Sequence, residues 1–522
     1  MFHSSDGKTS PLVKIDNLLQ SITKTAHEHK TLDLFAPFSG KKFVSIPLCT
    51  PEDIQLAEDN ARKAQQKWKD TSHSTRKKII LRYQSLLYTH RHELVDILQL
   101  EGGKDKNVAF EEIVTSMNIS SHYAYRFHNY IKPKRRKGFT PFTQITEYTE
   151  PLGVVGIIAP WNYPYILSIS EAIPALLSGN AVIIKPAEQT SLSALFGKVL
   201  LESAGLPKDL LQVVTGLGSE VGSELIKHVN FIGFTGGLAV AKSVARDCAN
   251  RMIRCSLELG GKNPMLVFPD VNIKSTVEGA VRGCFTNAGQ LCMSFERMYI
   301  HESIYDTFVS EFVKRTKEIT MGKGETHDVE MGSLISENHL KKVLDLVKDA
   351  EQKGAKVLTG AKVRADLGPL FFEPTILENV PKDATLYHEE TFGPVVSLFK
   401  FKTDEEAIQL ANDSQYGLNS SVWSRDVSKA IKIAEQIETG CVNINEPFAA
   451  TAASVDAPWG GLKMSGMSRR YGAEGIMKYT ESKSIGVQRF FPLYPSMGIQ
   501  PKTFYEGAAF VYRMFRWFPG IR

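Results

Sequence analysis

The sequence predicts an α/β protein built on parallel sheets, split into two α/β units with a small exposed β element. Three observations carry this. Short apolar runs at residues 154–158, 181–184, 211–214, 229–234 and 265–268 alternate with helical segments such as 191–204 and 238–248. A second βα series runs from about Val271 to Asn445. Two further segments, 143–149 and 482–490, alternate as exposed strands do. Buried strands separated by helices form a parallel sheet covered on both faces. The exposed strands can pair with each other or with another subunit.

Taken in order, the chain is first helical, from Pro51 to about Tyr130. Thr50 can cap this region, Pro51 fits its first turn, and acidic residues follow near the helix N-terminus. Lys132 to Lys137, K-P-K-R-R-K, then interrupts as a basic loop. Such a run is expected to be a solvated face rather than a nucleic-acid site. Near the other end, Phe504, Ala508, Val511, Phe515 and Phe518 advance by four and three, one face of a helix, with Arg513 and Arg516 off that stripe. That face can dock on the protein's own body, on a neighbouring subunit or on a membrane surface.

Composition narrows the class. Hydrophobic residues are 43% and charged residues 23% of 522, as in ordinary globular domains. A mainly disordered chain, a fibrous repeat and a small disulfide scaffold are excluded, and the core needs no metal or crosslink. The formal charge of +5, from 62 basic and 57 acidic residues, is too weak over this length to argue for nucleic acid or anionic lipid. Cys49, Cys248, Cys255, Cys284, Cys292 and Cys441 show no C-x-x-C spacing and no His cluster, so no metal site is expected. The polar start, residues 1–10, lacks a signal-peptide core, and no apolar run reaches the roughly 18 residues of a membrane span. A reducing cytoplasm with free thiols is the expected setting.

The chemistry-bearing segments are individually ambiguous. Gly216, Gly218 and Gly222 follow a strand, but Val221 holds the place of the third glycine in G-x-G-x-x-G. A tight loop fits better than a dinucleotide fingerprint. In F-I-G-F-T-G-G, residues 231–237, a strand opens into a helix whose N–H groups can face a phosphate, or simply makes a tight turn. Cys292 in N-A-G-Q-L-C-M can be a nucleophile or a small buried hydrophobe. Glu258 in L-E-L-G-G-K-N-P can be a structural carboxylate or a base whose pKa burial raises. Asn162 in A-P-W-N-Y-P can stabilise an oxyanion or hold its turn.

Together, P-W-N-Y-P, I-I-K-P-A-E, F-T-G-G, L-E-L-G-G-K-N-P, N-A-G-Q-L-C and E-T-F-G-P-V resemble the aldehyde dehydrogenase superfamily in both content and order, from about Glu52 to Ser484. The resemblance implies an aldehyde dehydrogenase-like fold: a Rossmann-type cofactor domain (1–138 and 151–260), an α/β catalytic domain (261–445), a β oligomerisation arm (139–150 and 478–495) and an amphipathic tail (496–522). It implies Cys292 as nucleophile, Glu258 as general base, and Asn162 with the Cys292 backbone N–H as the oxyanion site. For the cofactor, NAD with NADP possible, it implies Lys185 and Glu188 at the adenosine ribose and Glu390 with Phe392 at the nicotinamide ribose. Pro160, Trp161, Phe234, Gly236, Gly237, Leu259 and Gly260 complete that cleft. Gly237 stands where many relatives carry serine, and Ser468 and Arg470 depart from the commoner S-G-x-G-R-E-x-G. A homodimer or homotetramer acting on a small-molecule aldehyde is implied as well.

The implied chemistry is attack by the Cys292 thiolate, oxyanion stabilisation, hydride loss to the nicotinamide, and hydrolysis of the thioester through Glu258. Acylating relatives that use coenzyme A lack that base, so a free acid is the expected product. M-G-S-L-I-S, G-P-L-F-F-E-P-T and S-R-R-Y-G-A-E-G resemble a bacterial succinate-semialdehyde dehydrogenase branch, which places succinate semialdehyde first. Against it, the two arginines that hold a substrate carboxylate in such enzymes correspond here to Ser170 and Thr286. Arg297 is a possible substitute. Tyr163, Tyr165 and Leu167 either line an apolar channel or pack a helix. Neutral aliphatic or aromatic aldehydes are therefore the alternative. A catalytically silent protein on the same fold and a nucleic-acid binder using residues 132–137 are the competing classes.

Overall fold

The computed structural model describes residues 14–138, 142–324, 326–490, 492–496 and 498–517. Residues 1–10, residues 139–141 of the expected arm and Phe518 of the tail stripe lie outside them.

Four helices, Pro51–Trp68, His73–Thr89, Arg91–Gly102 and Lys106–Ile131, build the first helical layer. The first starts as its sequence dictates: the Thr50 N–H donates to Asp53 Oδ2 at 2.7 Å in a capping box, with Pro51 in the first turn. Gly103, at φ 67°, ends the third helix in the left-handed region that glycine adopts without a Cβ clash. The second, third and fourth helices pack on one another and on helices Glu171–Leu177 and Ser191–Ser203. The first packs on a six-stranded sheet ordered Gly466–Met467, Arg254–Glu258, Phe231–Thr235, Val154–Ile158, Ala181–Lys185, Leu211–Val213. All pairs are parallel except the Gly466–Met467 edge. Every residue of Ala181–Lys185 is buried, which explains why this strand is an unbroken apolar run.

A seven-stranded sheet follows, ordered Lys356–Thr359, Thr375–Glu378, Val395–Phe401, Phe295–His301, Asn263–Val267, Asn419–Trp423, Cys441–Ile444. It is parallel apart from its first strand. The run expected at 265–268 sits in this sheet. Each large sheet has its own apolar core.

The third sheet is formed by Lys134–Arg136, Thr143–Pro151 and Thr480–Gln488, all antiparallel. The two alternating segments therefore pair with each other, Thr149 opposite Ser482. Residues 132–137, expected as a loop, instead contain an edge strand. Ladder hydrogen bonds come from the backbone, and cationic side chains are common on edges because they deter further pairing. Helix Pro501–Phe515 follows the arm. Among the described residues, no helix is long and apolar enough to cross a membrane.

Candidate active site

Two cavities meet at one place. The larger, about 520 Å³, and the smaller, about 230 Å³, share Asn162, Leu167, Thr235, Glu258, Leu259 and Cys292 in their walls. Cys292 and Glu258 thus face both chambers.

Cys292 lies between helix Ile273–Phe285 and strand Phe295–His301, after a loop in which Asn287 and Ala288 are both left-handed, at φ 54°. This strained backbone is held by amides. Asn263 Nδ2 donates to the Cys292 carbonyl at 2.7 Å and to the Ser294 carbonyl at 2.8 Å. Asn162 Nδ2 donates to the Gln290 carbonyl at 3.2 Å. An amide carries two N–H groups, so Asn162 can hold the cysteine loop and still offer a donor to the cavity. Burial pushes the Cys292 thiol up to about 12, with Glu390 adding to the rise and Arg470 opposing it.

Glu258 ends strand Arg254–Glu258, and its carboxylate lies against Gly460. Both its oxygens are buried without a hydrogen-bond partner among the described residues. Burial raises its pKa to about 7, while Arg470 and then Lys478 pull it down. A carboxyl poised near neutrality beside a thiol suits proton transfer.

The P-W-N-Y-P turn is pinned from below. Lys104 Nζ donates to the Asn162 carbonyl at 2.7 Å and pairs with buried Glu112, which accepts from the Tyr165 N–H at 3.1 Å. Tyr163 lines the large cavity, whereas Tyr165 packs inward, its hydroxyl 2.6 Å from that of Tyr83. Leu167 belongs to both cavities.

The small cavity holds Pro160, Trp161, Gly236, Gly237, Leu259, Gly260, Glu390 and Phe392. Gly237 precedes helix Leu238–Asn250, and a Cβ there would meet nothing within 4 Å, so the helix start is open. Glu390 accepts from the Gly261 N–H at 2.9 Å and presses on Gly260, where a Cβ would overlap its carboxylate. Burial raises Glu390 to about 7. Phe392, at φ 55°, forms an aromatic trio with Trp161 and His339, its ring 5.5 Å from that of Trp161. Glu296 fixes this loop by accepting from the Thr391 and Phe392 N–H groups, and pairs with Lys262 at 2.5 Å. Phe234 lies at the strand end, its ring under Gly236.

Lys185 and Glu188 sit apart from the small cavity. Glu188 Oε1 lies 3.3 Å from Lys185 Nζ and accepts from the Gly218 N–H at 2.7 Å. The glycine loop that fails as a fingerprint therefore supports this pair. Glu188 does not cap the next helix. Glu101 does so, accepting from the Leu192 and Ser193 N–H groups at 2.9 and 3.2 Å.

Sequence reasoning missed Asn263, Glu296, His339 and the position of Arg470. Asn263 had a usable signal, since it opens the otherwise apolar strand Asn263–Val267, whereas Glu296 sits beside Arg297 in F-E-R-M-Y-I-H and had none. Arg297 is not a substitute for a carboxylate clamp: it is buried and spends its donors on the carbonyls of Lys262, Leu410, Ala411 and Asp413. Ser170 donates to Ser116 at 2.8 Å and Thr286 to the Arg282 carbonyl at 2.7 Å.

Two mainly parallel-sheet units, with a cysteine and a carboxyl of pKa about 7 in the wall shared by two chambers, define an α/β oxidoreductase with a thiol centre. The chain belongs to the aldehyde dehydrogenase family, whose model matches residues 23–485, and its activity is aldehyde oxidation. A Mycobacterium ulcerans protein named as a candidate succinate-semialdehyde dehydrogenase (NADP+) is 42% identical over 484 residues, covering 92% of this chain and 93% of the relative. Betaine aldehyde dehydrogenase of Bacillus subtilis is 35% identical over 470 residues, 88% of this chain and 95% of the relative. A crystal structure of betaine aldehyde dehydrogenase from Staphylococcus aureus in complex with NAD+ aligns at a TM-score of 0.85 with 34% identity, covering 92% of this chain and 98% of that one.

Proposed function

We propose that this chain oxidises a neutral, largely apolar aldehyde to the free carboxylic acid through a thioester on Cys292, with NAD(P) as oxidant. The observation that carries the mechanism is the placement of Cys292 and Glu258 in the wall shared by both cavities. The small cavity fits a nicotinamide dinucleotide: it combines an open helix start at Gly237 with a buried carboxylate, Glu390, aimed into it. Gly236, Gly237, Lys185, Glu188, Glu390 and Phe392 would hold that group, which when bound supplies the hydride acceptor.

The chain's own residues do the rest. With a thiol held near 12, Cys292 must lose its proton as it attacks, and Glu258 is the neighbouring group with the pKa to take it. The Asn162 amide meets the oxyanion that forms, a donor worth about 3 kcal/mol in comparable sites. Once that proton has passed to solvent, Glu258 takes a proton from the water that cleaves the thioester, and the Cys292 thiolate leaves as the acid is released. Six free thiols fit a reducing compartment such as the cytoplasm.

For the substrate, motif resemblance puts succinate semialdehyde first, and the cavity lining supports the neutral alternative. Its walls include Phe110, Val114, Leu291, Met293, Phe448 and Trp459. Arg282 and Arg470 are there too, but Arg282 faces Glu111 at 3.4 Å and Glu446 at 3.9 Å, and Arg470 is paired with buried Glu171 at 3.4 Å. Two carboxylates around one guanidinium leave no net attraction for a third. Succinate semialdehyde remains the second reading, favoured by the relatives' names. The test is kcat/KM for succinate semialdehyde, straight-chain aldehydes and benzaldehyde. We expect at least about a tenfold advantage, or 1.4 kcal/mol, for the apolar compounds. A preference for succinate semialdehyde overturns the substrate proposal and leaves the chemistry intact.

A further inference from the structure

The formal charge of +5 is small for the whole chain, but five cations fall within residues 132–137. Folding places them on the outer edge of the arm sheet. Lys132, Arg135, Arg136 and Lys137 are exposed, and Arg136 pairs with Glu147 at 2.6 Å. The strand runs so that Arg136 lies opposite Ile145 and Ile145 opposite Gly486. Lys137 therefore points toward the end of the sheet where Thr143 meets Gln488. At that same end Arg489 donates its N–H to the Phe142 carbonyl at 3.1 Å, and Phe490, 79% exposed, packs edge-on to Phe142.

From this tip the chain leads into helix Pro501–Phe515. Lys502, Glu506, Arg513 and Arg516 share one narrow strip at 3.6 residues per turn. Phe504, Tyr505, Phe510, Val511 and Met514 spread over roughly two-thirds of the circumference. Phe510 is 63% exposed and Trp517, just beyond the helix, 74%. Large apolar side chains in water on this scale mark an interaction surface.

We propose that the basic arm tip and helix Pro501–Phe515 together bind an anionic lipid surface. The occupant follows from shape and charge. A neighbouring protein surface covers one face of a helix, which would leave Phe510 or Tyr505 in water whichever face it took. A bilayer interface accepts a wide apolar arc and leaves a thin cationic strip at headgroup level, with Trp and Arg at the boundary. Nucleic acid would use the basic strand but has no use for the aromatic arc. The same geometry would bring an enzyme for apolar aldehydes to the phase where such substrates partition, although the binding itself does not depend on the substrate reading.

The test is co-sedimentation of the full-length protein with vesicles of phosphatidylcholine alone and of phosphatidylcholine with about one-third phosphatidylglycerol, a composition that sets a negative surface potential. Binding to the mixed vesicles should be at least about tenfold tighter and should weaken with salt. Arg513→Glu with Arg516→Glu, and separately Phe510→Ser with Val511→Ser, should each lower that affinity by about tenfold or more. Aldehyde oxidation in buffer and the light-scattering mass should not change in either variant. No affinity for mixed vesicles, or equal affinity in both variants, overturns the proposal. So does a fall in mass in the Phe510→Ser, Val511→Ser variant, which would mean that a second copy covers the helix. Displacement from vesicles by a DNA or RNA duplex at equal or tighter affinity would instead assign the basic edge to nucleic acid.

Discussion

Arg470 and Glu171 form a buried ion pair, Nε to Oε2 at 3.4 Å, and Arg470 lines the large cavity together with Glu258. Lys478 and the Tyr479 hydroxyl converge on the same carboxylate, at 2.6 and 2.5 Å, which holds Glu171 down at about 2 against its burial. Arg470 also donates to Thr235 Oγ1, another residue of the shared wall. The departure at position 470 from the commoner glutamate thus puts a fixed positive charge beside the proposed base. Removing it should raise the Glu258 pKa, because Arg470 is the strongest of the groups pulling it down. In Arg470→Met, the limb of acyl-enzyme hydrolysis near pH 7 should move to higher pH, while Arg470→Lys should keep it close to wild type. Single-turnover hydrolysis across pH 5.5–9 would be the readout; an unmoved limb in Arg470→Met would show that the cluster is only structural.

The two proposed catalytic side chains should fail in different ways. Cys292→Ala should bind cofactor and release no reduced nicotinamide. Glu258→Gln, which removes the acceptor for the Cys292 proton as well as the base for hydrolysis, should slow the first turnover and lose at least about a hundredfold in steady-state turnover, the usual scale for a general base, with any residual burst coming from accumulated acyl-enzyme. Rapid-mixing absorbance at the reduced-nicotinamide wavelength separates the cases. Normal turnover in Cys292→Ala would remove the thioester mechanism.

Stability gives an independent check on Glu258. Its folded pKa of about 7 lies above the ordinary 4.5, so the folded state binds the proton more tightly than the unfolded chain. Stability is then greatest below pH 4.5 as far as this group is concerned, and declines as pH rises from there through 7. A neutral amide avoids that loss. Glu258→Gln should melt about 1–3 °C higher than wild type at pH 8, with the gap narrowing toward pH 5. A lower Tm at pH 8 would mean that the carboxylate is stabilised by contacts beyond those described.

For the cofactor, Glu188 is tethered to Gly218 and Lys185, and we propose that its carboxylate faces the adenosine ribose. The 2′-phosphate of NADP would meet that charge; two unit charges 4 Å apart repel by about 4 kcal/mol at an effective dielectric of 20, before relaxation. Lys185 offsets part of this. We expect about a tenfold to hundredfold preference for NAD, or 1.4–2.8 kcal/mol, in contrast to the NADP+ in the relatives' names. Glu188→Ser should shift kcat/KM toward NADP. An NADP preference in the wild type would reverse the assignment.

Assembly should follow from the arm. Thr480–Gln488 is an edge of the three-stranded sheet, with Ile485 and Val487 exposed. Bare edges of this length invite pairing, and a partner's strand or surface is the simplest cover. Light scattering at micromolar concentration should give a dimer or a dimer of dimers. A mass of one 58.1 kDa chain would contradict it.

The sequence alone determined the alternation of buried strands and helices, the start of the first long helix, and the ordered motifs that mark the family. These are local properties: apolar period, capping residues and glycine placement act within a few turns or strands. Cys292, Glu258 and Asn162 stay ambiguous one by one in the sequence, and only the resemblance of the ordered motifs to the aldehyde dehydrogenase superfamily singles them out. Only the tertiary structure decided the rest. That Tyr163 lines a cavity while Tyr165 packs against Tyr83 depends on which side of one turn faces a helix far away in sequence. That Glu101 caps the helix after Glu188, leaving Glu188 for Lys185 and Gly218, links residues some ninety positions apart. Arg297 is consumed by four backbone carbonyls, and Arg470 joins Glu258 in the cavity lining, for the same reason. The charge and hydrogen-bonding state of a polar side chain depends on its through-space neighbours, and these are set by how the sheets pack rather than by the residues adjacent to it in the chain.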